Sequence, residues 1–271
     1  MNKRTTSNII KKPFIASALV FSFALTGMAQ DFLPNCITKK NANWHEVSSW
    51  SKGSLPTQED KTAIINFGNS VIVDDPVEAP IEVQVGNGKS APLDGCLTIN
   101  SDFRVKTLGV AVADGTTGRL EQNAGIISVE ELTLSAMGQE TLEATYDLIG
   151  GSLEAEILKM GISGPANLNV EGNGKVVSVG MKLQVGAQSA IRLIGTKAGF
   201  PSLNAATAHI IIEPGATLTV EGAGAATKPG KFTVIEANEP LAGKLNVSLA
   251  GFVAGKATVL ENEPGVVIEV K

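Results

Sequence analysis

Carboxylates at alternate positions of an extended segment are the side chains of this sequence best placed to do chemistry. Glu154 and Glu156 are two residues apart, so on a β-strand both project from the same face. Paired carboxyl groups of this kind are the acid and base of polysaccharide cleavage. The competing interpretation is a solvated outer face opposite buried Leu153 and Ala155, and we favour it. Further acidic candidates are Glu121 near Arg119, the adjacent Glu130 and Glu131, and the adjacent Asp74 and Asp75.

Metal and nucleophile chemistry finds less support in the sequence. His45 and His209 are the only histidines and lie far apart, and Asp74 and Asp75 lack the loop spacing of a calcium site. No Gly-x-Ser-x-Gly motif occurs, and the phosphate-loop-like residues 86–90 lack the helix that such a loop needs, so we expect a turn there. The sequence therefore predicts no catalytic, cofactor-binding or metal-binding residue and no cofactor.

A spaced, imperfect repeat positions these side chains. Each repeat contains three short segments with apolar residues at alternate positions, which is the period of a β-strand. Repeats of roughly two dozen residues built from strands indicate a stacked solenoid. Residues 130–143 and 151–159 are the two windows where a helix is arguable, and Gly or β-branched residues interrupt both. The repeats begin at Leu97, Leu120, Leu148 and Leu168, with intervals of 23, 28 and 20 residues.

The predicted fold is all-β: a single-stranded, right-handed parallel β-helix with an N-terminal cap. We expect about 8–10 coils and a column of roughly 40–50 Å at ~4.8 Å per coil. Trp44 and Trp50 are expected in the cap, and Asn100 and Asn123 in a polar ladder at a turn. The boundaries that we predict are a cap with the first coils at 30–95, regular coils at 96–200 and less regular coils at 201–271.

Residues 1–29 have the features of a signal peptide. An apolar run at residues 14–26 follows four basic residues, and Gly27 and Ala29 are the small residues that signal peptidase requires. A membrane anchor is the alternative, but the run is too short to cross ~30 Å of hydrocarbon as a helix. Cleavage after Ala29 predicts a protein that is secreted, held at the cell surface or present in the periplasm. The basic residues are Lys3, Arg4, Lys11 and Lys12.

The charge of the mature chain narrows the classes of partner. Removal of residues 1–29 leaves 18 basic and 27 acidic residues, a net charge of −9. Nucleic acid and anionic lipid both require a basic face, so neither is an expected partner. Extracellular polysaccharide and other surface proteins are the remaining partner classes.

The two cysteines allow a disulfide after export. Pairing of Cys36 with Cys96 would close a loop of about 60 residues and contribute roughly 4 kcal/mol by the chain-entropy estimate. The alternative is a pair of unlinked, buried thiols that pack as small apolar groups. We favour the disulfide, because it would secure the N-terminal end of the solenoid.

Two segments carry a resemblance to a known kind of protein. Trp44 and Trp50 are followed by Ser51, Gly53 and Pro56 before the first apolar strands, and residues 228–271 have the pattern of a terminal repeat unit. The chain thereby resembles exported bacterial β-helix repeat proteins, similar to the autotransporter-passenger-like β-strand-repeat proteins of planctomycete- and verrucomicrobium-type bacteria. The resemblance implies a non-enzymatic structural or adhesion role. The alternatives are a polysaccharide lyase or hydrolase, or a glycan-binding protein.

Overall fold

A computed structural model of the 271-residue chain shows an all-β protein in which 56% of the described residues lie in strands. The structure describes residues 35–36, 42–66, 68–87, 95–113, 115–135, 142–172, 175–224 and 227–271. Within these ranges the helical structure comprises a short 3-10 turn at Val47–Ser49 and no α-helix. None of the described helical segments is long or apolar enough to cross a membrane.

The strands form two sheets, and successive strands alternate between them up to β15. The 12-stranded sheet has the order β1-β3-β5-β7-β9-β11-β13-β15-β18-β21-β20, and β16 also pairs with β13. Its strands are β1 Asn35–Cys36, β3 Thr62–Ile65, β5 Val77–Val85, β7 Phe103–Val110, β9 Ile126–Leu134, β11 Ser152–Met160, β13 Lys175–Val185, β15 Leu203–Asn204, β16 His209–Ile212, β18 Gly230–Glu236, β20 Ala257–Leu260 and β21 Val266–Val270.

The 9-stranded sheet has the order β2-β4-β6-β8-β10-β12-β14-β17-β19. Its strands are β2 Ala42–Asn43, β4 Ser70–Val73, β6 Gly95–Ile99, β8 Thr117–Gln122, β10 Glu143–Leu148, β12 Ala166–Glu171, β14 Ser189–Ile194, β17 Thr217–Glu221 and β19 Asn246–Ala250. Every pairing in this sheet is parallel. The predicted parallel β-helix is therefore confirmed, and the helical alternative for residues 151–159 is wrong because residues 152–159 lie in β11.

The solenoid makes about seven turns rather than the predicted 8–10. The difference arises at the C-terminal end, where β20 and β21 pair antiparallel with each other and β21 pairs antiparallel with β18. The residues of this antiparallel unit therefore add no parallel turns. At ~4.8 Å per turn the column is roughly 35 Å long.

Each regular coil contains two strands instead of the three predicted. The second and third predicted segments are joined in one long strand that bends, as β7 shows. Phe103 and Val105 face the core, Lys106 and Thr107 both face outward, and inward alternation resumes at Leu108. Two successive outward residues turn the strand around a corner of the solenoid, so one strand supplies two of its faces.

At the third coil the alignment of leading leucines is wrong, whereas a first strand at Tyr146–Leu148, which the apolar alternation also predicts, is in register. Leu120 pairs with Tyr146, and Tyr146 pairs with Leu168, whereas Leu148 pairs with Gln122. The third repeat therefore begins at Tyr146 and not at Leu148. An apolar alternation by itself does not distinguish positions two residues apart, because both face the core.

A buried hydrogen-bond network explains why Gln122 and Tyr146 occupy this core. The Tyr146 hydroxyl donates to Gln122 Oε1 at 2.5 Å. Gln122 Nε2 in turn donates to the carbonyl oxygens of Gly125 at 2.9 Å and Ser152 at 3.0 Å. Burial raises the pKa of Tyr146, so the phenol remains a neutral donor.

Glycine is required where the turns after β8 and β10 stack. Gly125 and Gly151 have φ of 74° and 82°, in the left-handed region that L side chains rarely adopt. A Cβ on Gly151 would lie 2.1 Å from the Gly125 carbonyl oxygen. Close backbone contact between successive coils therefore excludes any side chain there.

The N-terminal end of the core is covered by the two tryptophans, as predicted. Trp44 and Trp50 are both 2% exposed, and their ring centroids are 4.9 Å apart. Trp44 also contacts Phe103 edge-on at 5.3 Å, and Trp50 Nε1 donates to the Trp44 carbonyl oxygen at 2.9 Å. The pair caps the first coils with apolar surface while satisfying the indole of Trp50.

Three phenylalanines form a corresponding cluster in the C-terminal coils, which the sequence analysis did not identify. The Phe200 ring lies 5.1 Å from Phe232 and 5.7 Å from Phe252. A Cβ on Gly222 would approach Phe252 to 2.6 Å, so that ring packs against bare backbone. These residues contact the core while remaining partly exposed.

We expect Trp44→Ala to lower the free energy of unfolding by about 3–5 kcal/mol, because it removes a large buried ring from the cap. Val47→Ala is the matched control, since Val47 belongs to the same segment but is 46% exposed. Denaturant unfolding measures both. Equal stability of the two variants would contradict the capping role of Trp44.

We expect Tyr146→Phe to lower the free energy of unfolding by about 1–3 kcal/mol, because it leaves Gln122 Oε1 buried without its donor. The ring volume is nearly unchanged, so a cavity does not account for the loss. Thermal and denaturant unfolding measure the effect, and a change near zero would show that the network does not stabilise the core.

Candidate functional site

One long groove crosses the outer face of the first halves of the long strands, and we call it the charged groove. Its cavity volume is about 1240 Å³. The residues that carry its charge project from β5, β7, β9 and β11, and a segment preceding β3 forms one wall. The lining residues are Pro56, Thr57, Gln58, Glu78, Ala79, Arg104, Val105, Lys106, Ser128, Val129, Glu130, Glu154, Ala155, Glu156 and Gly180.

Parallel pairing stacks these side chains in columns. Arg104 pairs with Glu78 and Ser128, and Ser128 pairs with Glu154. A second column runs through Lys106, Glu130 and Glu156, each two residues further along its strand. The lining residues from β5 to β13 span five successive strands, so the groove is about 19 Å long at ~4.8 Å per strand.

The floor and the wall of the charged groove are both held firmly. The floor is formed by the backbone at four strand positions whose side chains are buried in the core and at most 5% exposed: Ala79, Val105, Val129 and Ala155. In the wall, the Thr57 backbone N–H donates to Asp60 Oδ2 at 2.9 Å. Lys52 Nζ is 2.6 Å from Asp60 Oδ1, which fixes the same turn from the other side.

The charges of the groove are only partly paired. Arg104 lies 3.6 Å from Glu78, and both side chains are largely in solvent. Within the described part of the chain, no hydrogen bond or ion pair is made by the side chains of four further lining residues. These are Lys106, Glu130, Glu154 and Glu156.

The structure confirms that Glu154 and Glu156 share one face, and it also bears out the solvated interpretation of that face. Both are exposed, while Leu153 and Ala155 face the core. Glu130 joins them from the neighbouring strand. Carboxylates on this open face can attract a cation or accept hydrogen bonds from a ligand.

The remaining acidic candidates lie elsewhere. Arg119 and Glu121 are on the 9-stranded sheet, where Arg119 Nη2 is 3.2 Å from Glu121 and 2.9 Å from Asp147. Glu131 lies at the bend of β9 and pairs with Lys159 at 2.8 Å. These residues form ion pairs on the strand surface and do not converge on the groove.

Asp74 extends the polar ladder that was predicted for Asn100 and Asn123. Asn100 Nδ2 donates to Asp74 Oδ1 at 2.7 Å, and Asn123 Nδ2 donates to Asn100 Oδ1 at 3.0 Å. Asn43 adds a bond to Asp74 from the preceding turn at 3.2 Å. Asp75 is exposed at the same turn. The ladder ties four successive turns together.

The histidines are not brought together. His45 follows β2 in the cap segment, and His209 begins β16 in the C-terminal coils. Among the described residues, no group of three or more His, Cys, Asp and Glu side chains could hold a metal ion. Phe103 and Tyr146 are both fully buried, so neither ring can stack against a sugar.

Sequence reasoning missed the basic residues of the groove. Arg104 and Lys106 occupy the outward positions that correspond to Ser128 and Glu130 one coil later, so aligning the coils by outward residues would have found them. No local signal indicates that Thr57 and Gln58 form a wall, because their position depends on where the cap lies against the coils.

Several predictions involve residues outside the described ranges. The signal peptide at 1–29 lies entirely outside them, as do residues 88–90 of the Gly86 turn and residues 136–141 of the window 130–143 where a helix was arguable. Gly86 itself lies at a turn directly after β5, as expected for the first part of that segment.

The structure does not support the disulfide between Cys36 and Cys96, and Cys96 is a free thiol. Cys36 pairs with Ile64 in one sheet, whereas Cys96 pairs with Ser70 in the other. The strands of the two cysteines are two coil levels apart, or about 9–10 Å along the axis. A disulfide requires Cα atoms within about 7 Å.

Comparison of the chain with protein-family models, with curated proteins and with solved structures finds no match in any of the three. The fold by itself defines the class of the protein as a parallel β-solenoid.

The Cys96 thiol should react slowly, because burial raises its pKa and less thiolate is present at a given pH. The Cys36→Ser variant isolates it, and Ellman's reagent gives its rate from pH 7 to 10. We expect a lower rate at pH 8 for folded than for urea-unfolded protein, with the deficit shrinking as pH rises. The control is wild-type protein that has been unfolded without reduction. If it contains no titratable thiol, the two cysteines are linked and the disulfide prediction is right.

Proposed function

We propose that this protein is an exported, non-enzymatic β-solenoid of structural or adhesion type, located at the cell surface or in the extracellular matrix. The observation that carries the proposal is the charged groove, which extends across five strands and is lined by exposed charged side chains. A long, open site of this kind suits an extended polymer, either an extracellular polysaccharide or a segment of a surface protein. The leader expected at residues 1–29 supports export.

The rest of the outer surface supports a scaffold role. Polar side chains are paired from coil to coil: Arg119 with Asp147, Arg192 with Glu221, and Thr219 with Ser248 at 2.9 Å. Such pairs hold neighbouring coils in register, and a stacked solenoid is supported only by neighbouring coils. A rigid column that presents one groove is well suited to adhesion.

A polysaccharide lyase or hydrolase is the second candidate, because Glu154 and Glu156 stand on one face of the groove with Glu130 beside them. Strand geometry puts the Cα atoms of Glu154 and Glu156 roughly 6.6 Å apart. Acid–base cleavage would need these carboxyl groups to flank a bound sugar linkage.

Export is tested by producing the full chain in a bacterial host and analysing the fractions by mass spectrometry. We expect a product that begins at Gln30 and is found outside the cytoplasm. Full-length protein that remains in the cytoplasm would contradict the export proposal.

Incubation with a panel of acidic, neutral and amino polysaccharides distinguishes a scaffold from an enzyme. We expect no new reducing ends or unsaturated products from the wild type. Product formation that Glu154→Gln or Glu156→Gln abolishes, and that Glu171→Gln retains, would establish the enzyme instead. Glu171 is the matched control, because it is an exposed glutamate at the end of β12 in the other sheet.

A further inference from the structure

Three successive loops lie at one corner of the solenoid in its C-terminal coils, and we call them the lysine corner. They follow strands of the 9-stranded sheet that pair in register, since Ile194 pairs with Glu221 and Glu221 with Ala250. Backbone bonds join neighbouring loops, and the Gly224 N–H donates to the Gly251 carbonyl oxygen at 2.7 Å. The loops comprise residues 195–202, 222–224 with 227–229, and 251–256.

The charges of the lysine corner are all of one sign. Lys197, Lys228 and Lys256 are exposed, one in each loop, and the three loops contain no Asp or Glu. Their side chains make no ion pair or hydrogen bond with the described residues. Glu221, the nearest acidic residue along the chain, is paired with Arg192. On a mature chain of net charge −9, this corner is a local cationic surface that attracts an anionic partner.

The first two loops repeat a short motif that the sequence analysis did not identify. Thr-Lys-x-Gly occurs at residues 196–199 and again at 227–230, each time followed by a phenylalanine within two residues. The third loop, 251–256, has Gly, Phe and Lys in another order. The fold therefore brings the same three residue types to this corner in three successive coils.

Three phenylalanine rings lie beside these lysines. The ring centroid of Phe200 is 5.1 Å from that of Phe232 and 5.7 Å from that of Phe252. All three contact the core and remain partly exposed. A Cβ on Gly195 would lie 2.5 Å from Phe200 Cδ1, and one on Gly222 would lie 2.6 Å from Phe252 Cε1. The rings thus pack on bare backbone, and no side chain at these two positions covers them.

An acidic polysaccharide combines the two chemistries that the lysine corner offers. The C–H face of a sugar ring packs on an aromatic ring, and the carboxylate or sulfate of the sugar is a partner for Lys. At ~4.8 Å per coil the three loops span roughly 10 Å of the column, so one polymer chain can contact all of them.

An anionic membrane also presents charge and apolar surface, but the structure favours it less. Among the described residues of the corner, Val253 is the only large apolar side chain that is fully in the exposed class, at 47%. An interfacial anchor inserts a whole apolar face. The mature chain is acidic outside this corner, so it is repelled by an extended anionic surface more than by a single chain that touches the corner alone.

We infer that the lysine corner binds an acidic polysaccharide. Lys197, Lys228 and Lys256 are the cationic contacts, and the phenylalanine rings are the surface on which sugar rings pack. The inference goes beyond the proposed function, because no residue of the corner lines the charged groove. It assigns the protein a second binding surface with its own class of ligand.

Fluorescence anisotropy with a labelled alginate oligosaccharide tests the inference on the full mature chain, with labelled neutral dextran as the comparison. The corner variant is Lys197→Gln with Lys228→Gln. The control variant is Lys61→Gln with Lys244→Gln, which makes the same change in net charge at exposed lysines outside the corner. Ala254→Lys adds a positive charge at an exposed position of the third loop.

We expect the corner variant to weaken alginate binding about tenfold, as for the loss of two exposed ion pairs, and the control to change it less than about twofold. Ala254→Lys should strengthen binding about two- to fivefold, a gain that a misfolded variant could not produce. Binding should fall as salt rises. Phe252→Leu should weaken binding about two- to tenfold without changing this salt dependence, because it removes a ring and no charge.

Equal weakening by the corner and control variants would overturn the inference, since net charge alone would then explain the binding. Absence of alginate binding, or equally tight binding of neutral dextran, would overturn it as well. Unchanged affinity in Phe252→Leu would contradict the role of the rings. Tighter binding of phosphatidylserine vesicles than of alginate, lost in the corner variant, would replace the polysaccharide by a membrane. These measurements use purified protein, so a failure of export contradicts the proposed function without affecting them.

Discussion

Parallel hydrogen bonding between coils is the constraint on which the rest of this structure depends. Because each strand pairs in register with its counterpart, every side chain stacks on the equivalent residue of the next coil. Inside, the constraint produces continuous apolar columns such as Leu108, Leu132 and Leu158. Outside, it would place like charges about 4.8 Å apart unless the sequence alternates their signs. The column that includes Asp147 does alternate, since Arg119 and Asn169 contact that carboxylate from either side. In the charged groove the signs alternate between Glu78 and Arg104 and between Lys106 and Glu130, but Glu130 and Glu156 then stand side by side as like charges.

The same constraint makes the two ends the difficult part of the fold, since an end coil has a neighbour on one side only. The N-terminal end is closed by two tryptophans that contact each other, and Trp44 also contacts Phe103. The C-terminal end is closed differently, by the antiparallel strands β20 and β21 together with the phenylalanine cluster.

The N-terminal cap segment serves a second purpose. It continues past Trp50 to Thr57, which becomes one wall of the charged groove, so the cap and the site are built from the same stretch of chain.

Period-two alternation was enough to predict the strands, the parallel solenoid and the outward position of Glu154 and Glu156, because the pattern and the backbone geometry have the same period. It was not enough to fix the register of the third coil, where Tyr146 takes the position that the leucine pattern gave to Leu148. It also missed the bend that joins two strands into one, since two successive outward residues at Lys106 and Thr107 look like the end of a strand. The prediction of a Cys36–Cys96 disulfide was wrong for a related reason. The separation of two residues along the chain does not determine how many coil levels lie between them. The groove wall depends on tertiary placement and has no local signal.

Stacking also explains why a site in this protein should lie on its outer surface. The interior is filled by apolar columns, and its principal polar contact, between Gln122 and Tyr146, is fully buried. A ligand can therefore meet only the faces and turns of the column.

On the faces, coil-to-coil pairing engages most polar groups on the 9-stranded sheet, and the turns near Asp74 are tied by the asparagine ladder. The charged groove is where that pairing is incomplete, and a ligand there does not have to displace an existing bond from Glu130, Glu154 or Glu156. Binding energy is then not reduced by breaking internal contacts, which is the physical reason for proposing the groove, rather than another face, as a recognition surface.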